Sequence, residues 1–205
     1  MPSFVVSTVA VSDPLTAAEA NLHLRLNSAT ASADSAIVTR LIAAATEEAQ
    51  AFTGKQFVDA TFDWTLPCFR DPRTGDTTTL TLPRCPVDSI THVKYYDTAN
   101  TQQTLAAANY YTIGLATTTT APVTPCRLVL VSTSSWPSLY DRQDAVEIRF
   151  KAGYSADSTS VPAAIKAAIL MMVDDLYNNR CRQGEALTIN PAVMRLLRPF
   201  QSEFV

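Results

Sequence analysis

Between Val161 and Arg180 apolar residues return at every third and fourth place: Ile165, Ile169, Met172, Val173 and Leu176. That spacing lines them along one face of an α-helix. Pro162 suits the first turn, where its missing N–H has no helical partner in any case. Arg180 and Arg182 complement the negative end of the helix dipole. Asp174 and Asp175 interrupt the apolar run, so the helix packs in a core and does not span a bilayer. Its apolar face has to be covered by the rest of the chain.

The natural cover is a second helix. Asp34 is a candidate N-cap for a helix from Ser35 to Thr53, and Gly54 stands where a left-handed C-terminal cap belongs. Ile37, Leu41, Ala44, Ala45, Glu48 and Phe52 trace its stripe, widened by Ile42 and Ala49. Its alanines allow close approach to the Val161–Arg180 helix. Upstream, Thr16-Ala-Ala-Glu19 is a capping box, predicting a short helix through Ala20, Leu22, His23, Leu24 and Arg25. The small polar residues from Asn27 to Ala33 read as a loop. Residues 3 to 11 are β-prone with no hairpin partner directly after them. Either they form an extended arm pairing with another segment, or they fray.

From Phe57 onward the period changes to two. Phe62, Trp64 and Leu66 alternate with Thr61, Asp63 and Thr65, the pattern of a half-buried strand. Strands are also predicted at Thr79–Leu82, Ile90–Tyr96, Tyr110–Ile113, Arg127–Val131 and Ala145–Phe150, about six in all, separated by turn signals. The resulting fold class is α+β: a small helical bundle with an inserted antiparallel β-sheet region. The expected organisation is a single domain over residues 1–205. Residues 12–55 and 156–182 would form the bundle, 56–153 the β-rich insertion, and 184–205 a C-terminal docking helix and tail. In that last segment Asn190-Pro191 opens a short helix through Val193, Met194, Leu196 and Leu197, stopped by Pro199.

The 205 residues carry a net charge of −3 and no basic run, which argues against a surface built to neutralise a DNA backbone. The four cysteines, Cys68, Cys85, Cys126 and Cys181, are scattered, without the close pairs of a zinc site. They read as reduced packing residues of a cytosolic protein. No secretory signal and no membrane-length apolar run is seen.

Several pieces in order carry a family resemblance. They are Leu15-Thr16-x-x-Glu19-Ala20-x-x-His23-Leu24-Arg25, Leu41-Ile-Ala-Ala-Ala45 with Phe52-Thr53-Gly54-Lys55, and Leu82-Pro83-Arg84-Cys85-Pro86-Val87-x-x-Ile90. Ser135-Trp136-Pro137 and Ala152-Gly153-Tyr154 follow, then Val161-Pro162-x-x-Ile165-Lys166. From Leu15 to about Arg180 this order resembles the head–tail connector (adaptor) proteins of long-tailed bacteriophages and of gene transfer agents. The resemblance implies a structural virion protein of the neck, between capsid and tail, assembled in the host cytoplasm. Such a protein forms a ring, dodecameric by resemblance, under the portal protein, extending the DNA channel and completing the head. Its implied partners are the portal, stopper or tail-terminator proteins, further copies of itself, and packaged DNA passing without sequence-specific binding. No membrane and no cofactor is implied.

The residues themselves suggest no catalytic or metal site. G-x-S-x-G, P-loop and H-E-x-x-H patterns are missing. His23 and His92 read as satisfied packing histidines, and Asp174-Asp175 as a solvated face or interface salt bridge. The candidate portal interface is Val193, Met194, Arg195, Leu197, Arg198, Phe200, Phe204 and Val205: an apolar stripe, two arginines for acidic partners and an aromatic tail. Two alternatives stay open. One is another neck component, a stopper or tail-completion protein. The other is a carbohydrate-binding or hydrolytic module using Trp64, Tyr95, Tyr96, Tyr110, Tyr111 and Trp136.

Overall fold

The computed structural model describes residues 3–9, 12–116, 125–154, 158–179 and 190–201. The chain is α+β, as the periodicities predict, and it divides into two compact units. Residues 1–11 and 59–154 make a sheet unit; residues 12–58 and 155–205 make a helical unit. The N-terminal residues therefore belong with the sheet.

The first strand, β1 (Ser3–Thr8), is followed by α1 (Ala17–His23), α2 (Ser28–Ala33) and α3 (Ser35–Thr53). The capping box forms as drawn: the Glu19 amide donates to the Thr16 hydroxyl at 3.2 Å, and the Thr16 amide donates to the Glu19 carboxylate at 2.8 Å. The predicted loop at Asn27–Ala33 is instead α2. Its run of small residues hides a cap, because Asn27 Oδ1 accepts the Thr30 amide at 2.9 Å. Asp34 precedes α3 but makes no capping bond; its carboxylate accepts the hydroxyl of Tyr177. Gly54 ends α3 in the left-handed conformation at φ +68°.

The buried face of α3 is shifted by one residue from the predicted stripe. Val38, Ile42, Ala45, Thr46, Ala49 and Thr53 are buried, while Ile37 and Glu48 are exposed. Adjacent apolar pairs such as Ile37-Val38 and Leu41-Ile42 offer two stripes, and packing selects the one with the smaller residues. The main partner of α3 is α4 (Ala163–Asn178), where Ile165, Ala168, Ile169, Met172 and Val173 are buried. Pro162 is the residue before this helix, and Leu176 is exposed, beyond the packed face. Arg180, Arg182 and Cys181 lie outside the described residues. The last helix, α5 (Pro191–Leu197), packs on α4 and α3 within the same unit and runs into a 3-10 turn at Arg198–Phe200.

In the sheet unit the strands are β1, β2 (Ala60–Leu66), β3 (Thr79–Thr81), β4 (Val87–Tyr96), β5 (Gln102–Thr104), β6 (Tyr110–Ile113), β7 (Arg127–Leu130) and β8 (Val146–Ala152). They form a five-stranded sheet, β1-β2-β8-β4-β5, and a three-stranded sheet, β3-β7-β6. All ladders between these strands are antiparallel. Among the described residues two strands exceed the six expected. β5 is too polar and short to show a period, and the partner of β1 lies some fifty residues downstream in β2.

Alternation does the rest. In β2 and β8 every second residue is buried: Phe62, Trp64 and Leu66 on one strand, Ile148 and Phe150 on the other. Phe4 stacks on Phe62 at 5.0 Å between centroids, and Phe62 on Phe150 at 5.6 Å. Each fully buried phenylalanine contributes about 1.5–3 kcal/mol. The opposite face of these strands is polar. There Arg149 forks onto Asp63 at 2.6 and 2.8 Å, His92 meets Glu147 at 2.9 Å, and Lys151 meets Asp59 at 2.6 Å.

Candidate functional site

The C-terminal helix begins with a well-made cap. Asn190 Oδ1 accepts the Ala192 amide at 2.9 Å, and Pro191 occupies the first turn, where its missing N–H costs nothing. Val193 and Leu197, one turn apart, are both buried. Both residues hold α5 to its own unit, so in this conformation their side chains face inward. Met194 is half-buried, Arg195 and Arg198 are exposed, and Phe200 is half-buried with its ring 5.8 Å from the Lys55 ammonium. Phe204 and Val205 lie outside the described residues.

Three of the candidate residues come together around one concavity. A groove of about 740 Å³ is lined by Phe52 from the last turn of α3 and by Pro191, Met194, Arg195, Arg198, Pro199 and Gln201. Phe52, Met194 and the two prolines are apolar; the two guanidinium groups supply positive charge. Arg195 and Arg198 are three residues apart and so share one side of the helical turn. Such a groove suits an apolar side chain flanked by carboxylates, because a guanidinium pairs a carboxylate through two parallel N–H bonds. Sequence reasoning found the arginines and Met194 but missed Phe52. Its only signal is that it closes α3 beside Gly54.

A second concavity, about 400 Å³, is lined by residues 66–68 and 70–75. Asp71 organises that loop, its carboxylate accepting the amides of Arg73 at 2.9 Å, Thr74 at 3.2 Å and Thr81 at 2.9 Å. Burial pushes the Asp71 carboxyl up, but these donors outweigh it and hold the group below the usual carboxylate range. The acid is committed to its own backbone.

The remaining candidates are dispersed. His23 is exposed, which departs from the packing role expected of it; His92 is half-buried and satisfied by Glu147. Asp174 and Asp175 each accept the side-chain amide four residues on, Asn178 at 2.9 Å and Asn179 at 2.8 Å. Cys85 and Cys126 are buried, whereas Cys68 is exposed. Burial first, and the neighbouring Cys85 second, pushes the Cys126 thiol up to about 12. Four of the candidate aromatics pack against the protein's own side chains. Trp64 is in the core, Trp136 stacks on Phe69 at 4.3 Å, Tyr95 meets Phe69 edge-on, and Arg142 lies 3.7 Å over Tyr96. Among the described residues no three His, Cys, Asp or Glu side chains gather as a metal site, and no helix is long and apolar enough to cross a membrane.

No protein-family model matches this sequence, and no curated protein does. Solved structures do match, over nearly the whole chain. A chain from the neck of an empty GTA particle computed with C6 symmetry superposes with a TM-score of 0.79 at 23% identity, covering 99% of this chain and 97% of that one. A chain from the virion of a native gene transfer agent (GTA) particle gives 0.78 at 22% identity, covering 98% and 96%. One from the neck of a native GTA particle computed with C12 symmetry gives 0.70 at 21% identity, covering 100% and 97%. At these identities the likeness establishes a shared α+β fold.

Proposed function

We propose that this chain is a structural neck protein of a phage or gene-transfer-agent particle. In this reading many copies form a ring between the portal and the stopper or tail proteins, extending the DNA channel and completing the head. The observation that carries it is the end-to-end likeness to chains of GTA necks, in which neither chain has a large part left over. The net charge of −3 agrees: a conduit for DNA must let the duplex slide, and a basic lumen would hold it.

The groove beside α5 is the portal-docking surface in this proposal. Met194 and Phe52 receive an apolar side chain of the portal, while Arg195 and Arg198 pair with carboxylates beside it. Phe200, between the lining residues Pro199 and Gln201, borders the surface. Val193 and Leu197 act from inside, fixing the helix that presents the arginines. The test is a charge reversal, Arg195→Glu with Arg198→Glu. Both side chains are exposed, so stability should change by no more than about 0.5 kcal/mol. Attachment of the protein to DNA-filled heads should be lost. Particles of the double variant that join heads to tails at normal yield would remove the docking role from this surface.

A further inference from the structure

In the order β1-β2-β8-β4-β5, β1 and β5 are the two edges of one sheet. A sheet edge carries unpaired backbone groups that can template another chain, and proteins usually blunt it with charge, proline or cover. The smaller sheet does this at β3, where the buried Asp71 carboxylate takes the Thr81 amide at 2.9 Å. Its other edge, β6, runs on to Leu115, which is bridged to Val87. The larger sheet is different. β1, Ser3-Phe-Val-Val-Ser-Thr8, has no charged residue and no proline. Val5 and Val6, on opposite faces, are 56% and 47% exposed. β5, Gln102-Gln103-Thr104, is also uncharged and exposed along its length.

We infer that the outer edge of β1 is a strand-addition site for β5 of a second copy of this chain. The inference rests on the ring reading above and supplies the contact between neighbouring subunits. A ring of identical copies needs two different patches that meet head to tail, and the opposite edges of one sheet are such a pair. The four antiparallel ladders make β1 and β5 run in the same sense. Neighbours in a many-membered ring differ by a small rotation that preserves this sense. The added ladder is therefore parallel and joins adjacent sheets without reversing them. An antiparallel β1–β1 pair would instead be two-fold and would close at a dimer.

The experiment uses assembled particles in which Cys68 and Cys181 are replaced by serine and Val5→Cys and Gln103→Cys are introduced. A short bismaleimide should then give a ladder of covalent multimers on a denaturing gel, while either cysteine alone gives monomer. Dimers from Val5→Cys alone would establish the two-fold contact and overturn the inference. Monomer from the double variant, in particles whose necks show a ring by electron microscopy, would overturn it and leave the ring reading standing. Particles with a single copy or none at the neck would overturn both. A second variant, Val5→Lys, places a charge on the exposed edge. It should keep the parent melting curve and fail to enter the neck, and normal incorporation would count against the inference.

Discussion

Gly153 sits at φ +149°, and a Cβ built there would fall 2.4 Å from the amide nitrogen of Asp59. The obstacle is backbone and cannot swing away. Gly153→Ala should therefore destabilise the protein by about 2–4 kcal/mol, as strained and overpacked sites do. Urea denaturation checks this, and a loss below about 1 kcal/mol would mean that the Asp59 backbone yields. The polar face of the sheet carries a pH effect. The paired bonds from Arg149 hold the Asp63 carboxyl below its ordinary range, against the upward push of partial burial. A carboxyl depressed in the folded state contributes stability above its unfolded value, about 3.9, and loses it as pH falls through the folded one. Asp63→Asn should thus flatten the acid limb of the stability curve below about pH 4. An acid limb identical to that of the parent protein would show that Asp63 does not contribute to it.

Among the elements, α4 answers most directly to its sequence. Ile169 is fully buried, so Ile169→Asp would place an unpaired charge in the core and should cost about 3–5 kcal/mol. A calorimetric scan matching the parent would move Ile169 out of the core. The two long helices and the strands with clear alternation were legible because local pattern and burial coincide in them. α3 shows the limit. Its ends are readable from Asp34 and Gly54, yet the choice between Ile37 and Val38 depends on what α4 presents, which no period encodes. α2 was hidden because its alternating Ser, Thr and Ala residues show no apolar three-four stripe, although its Asn27 cap was present in the sequence. β5 and the pairing of β1 are non-local, fixed by β4 and β2 and not by their own residues. At the candidate site the arginines were visible as exposed charges on a short helix. The burial of Val193 and Leu197 was not, since an apolar stripe does not say which surface it faces.

At the scale of the molecule, the chain leaves the helical unit after residue 58 and returns at residue 155. The strands at the two ends of that excursion are each other's neighbours: Ala60, which opens β2, pairs in register with Ala152, which closes β8. In an antiparallel pair the Cα atoms lie about 4.5–5.5 Å apart. The long excursion therefore begins and ends at neighbouring positions of one ladder, and the effective connection between α3 and α4 reduces to the residues on either side of that pair. Joining α3 to α4 then carries the closure entropy of a short loop once the sheet has formed, and not that of the whole excursion. A strand lengthened or trimmed away from the Ala60–Ala152 pair would leave the length of the α3–α4 connection unchanged.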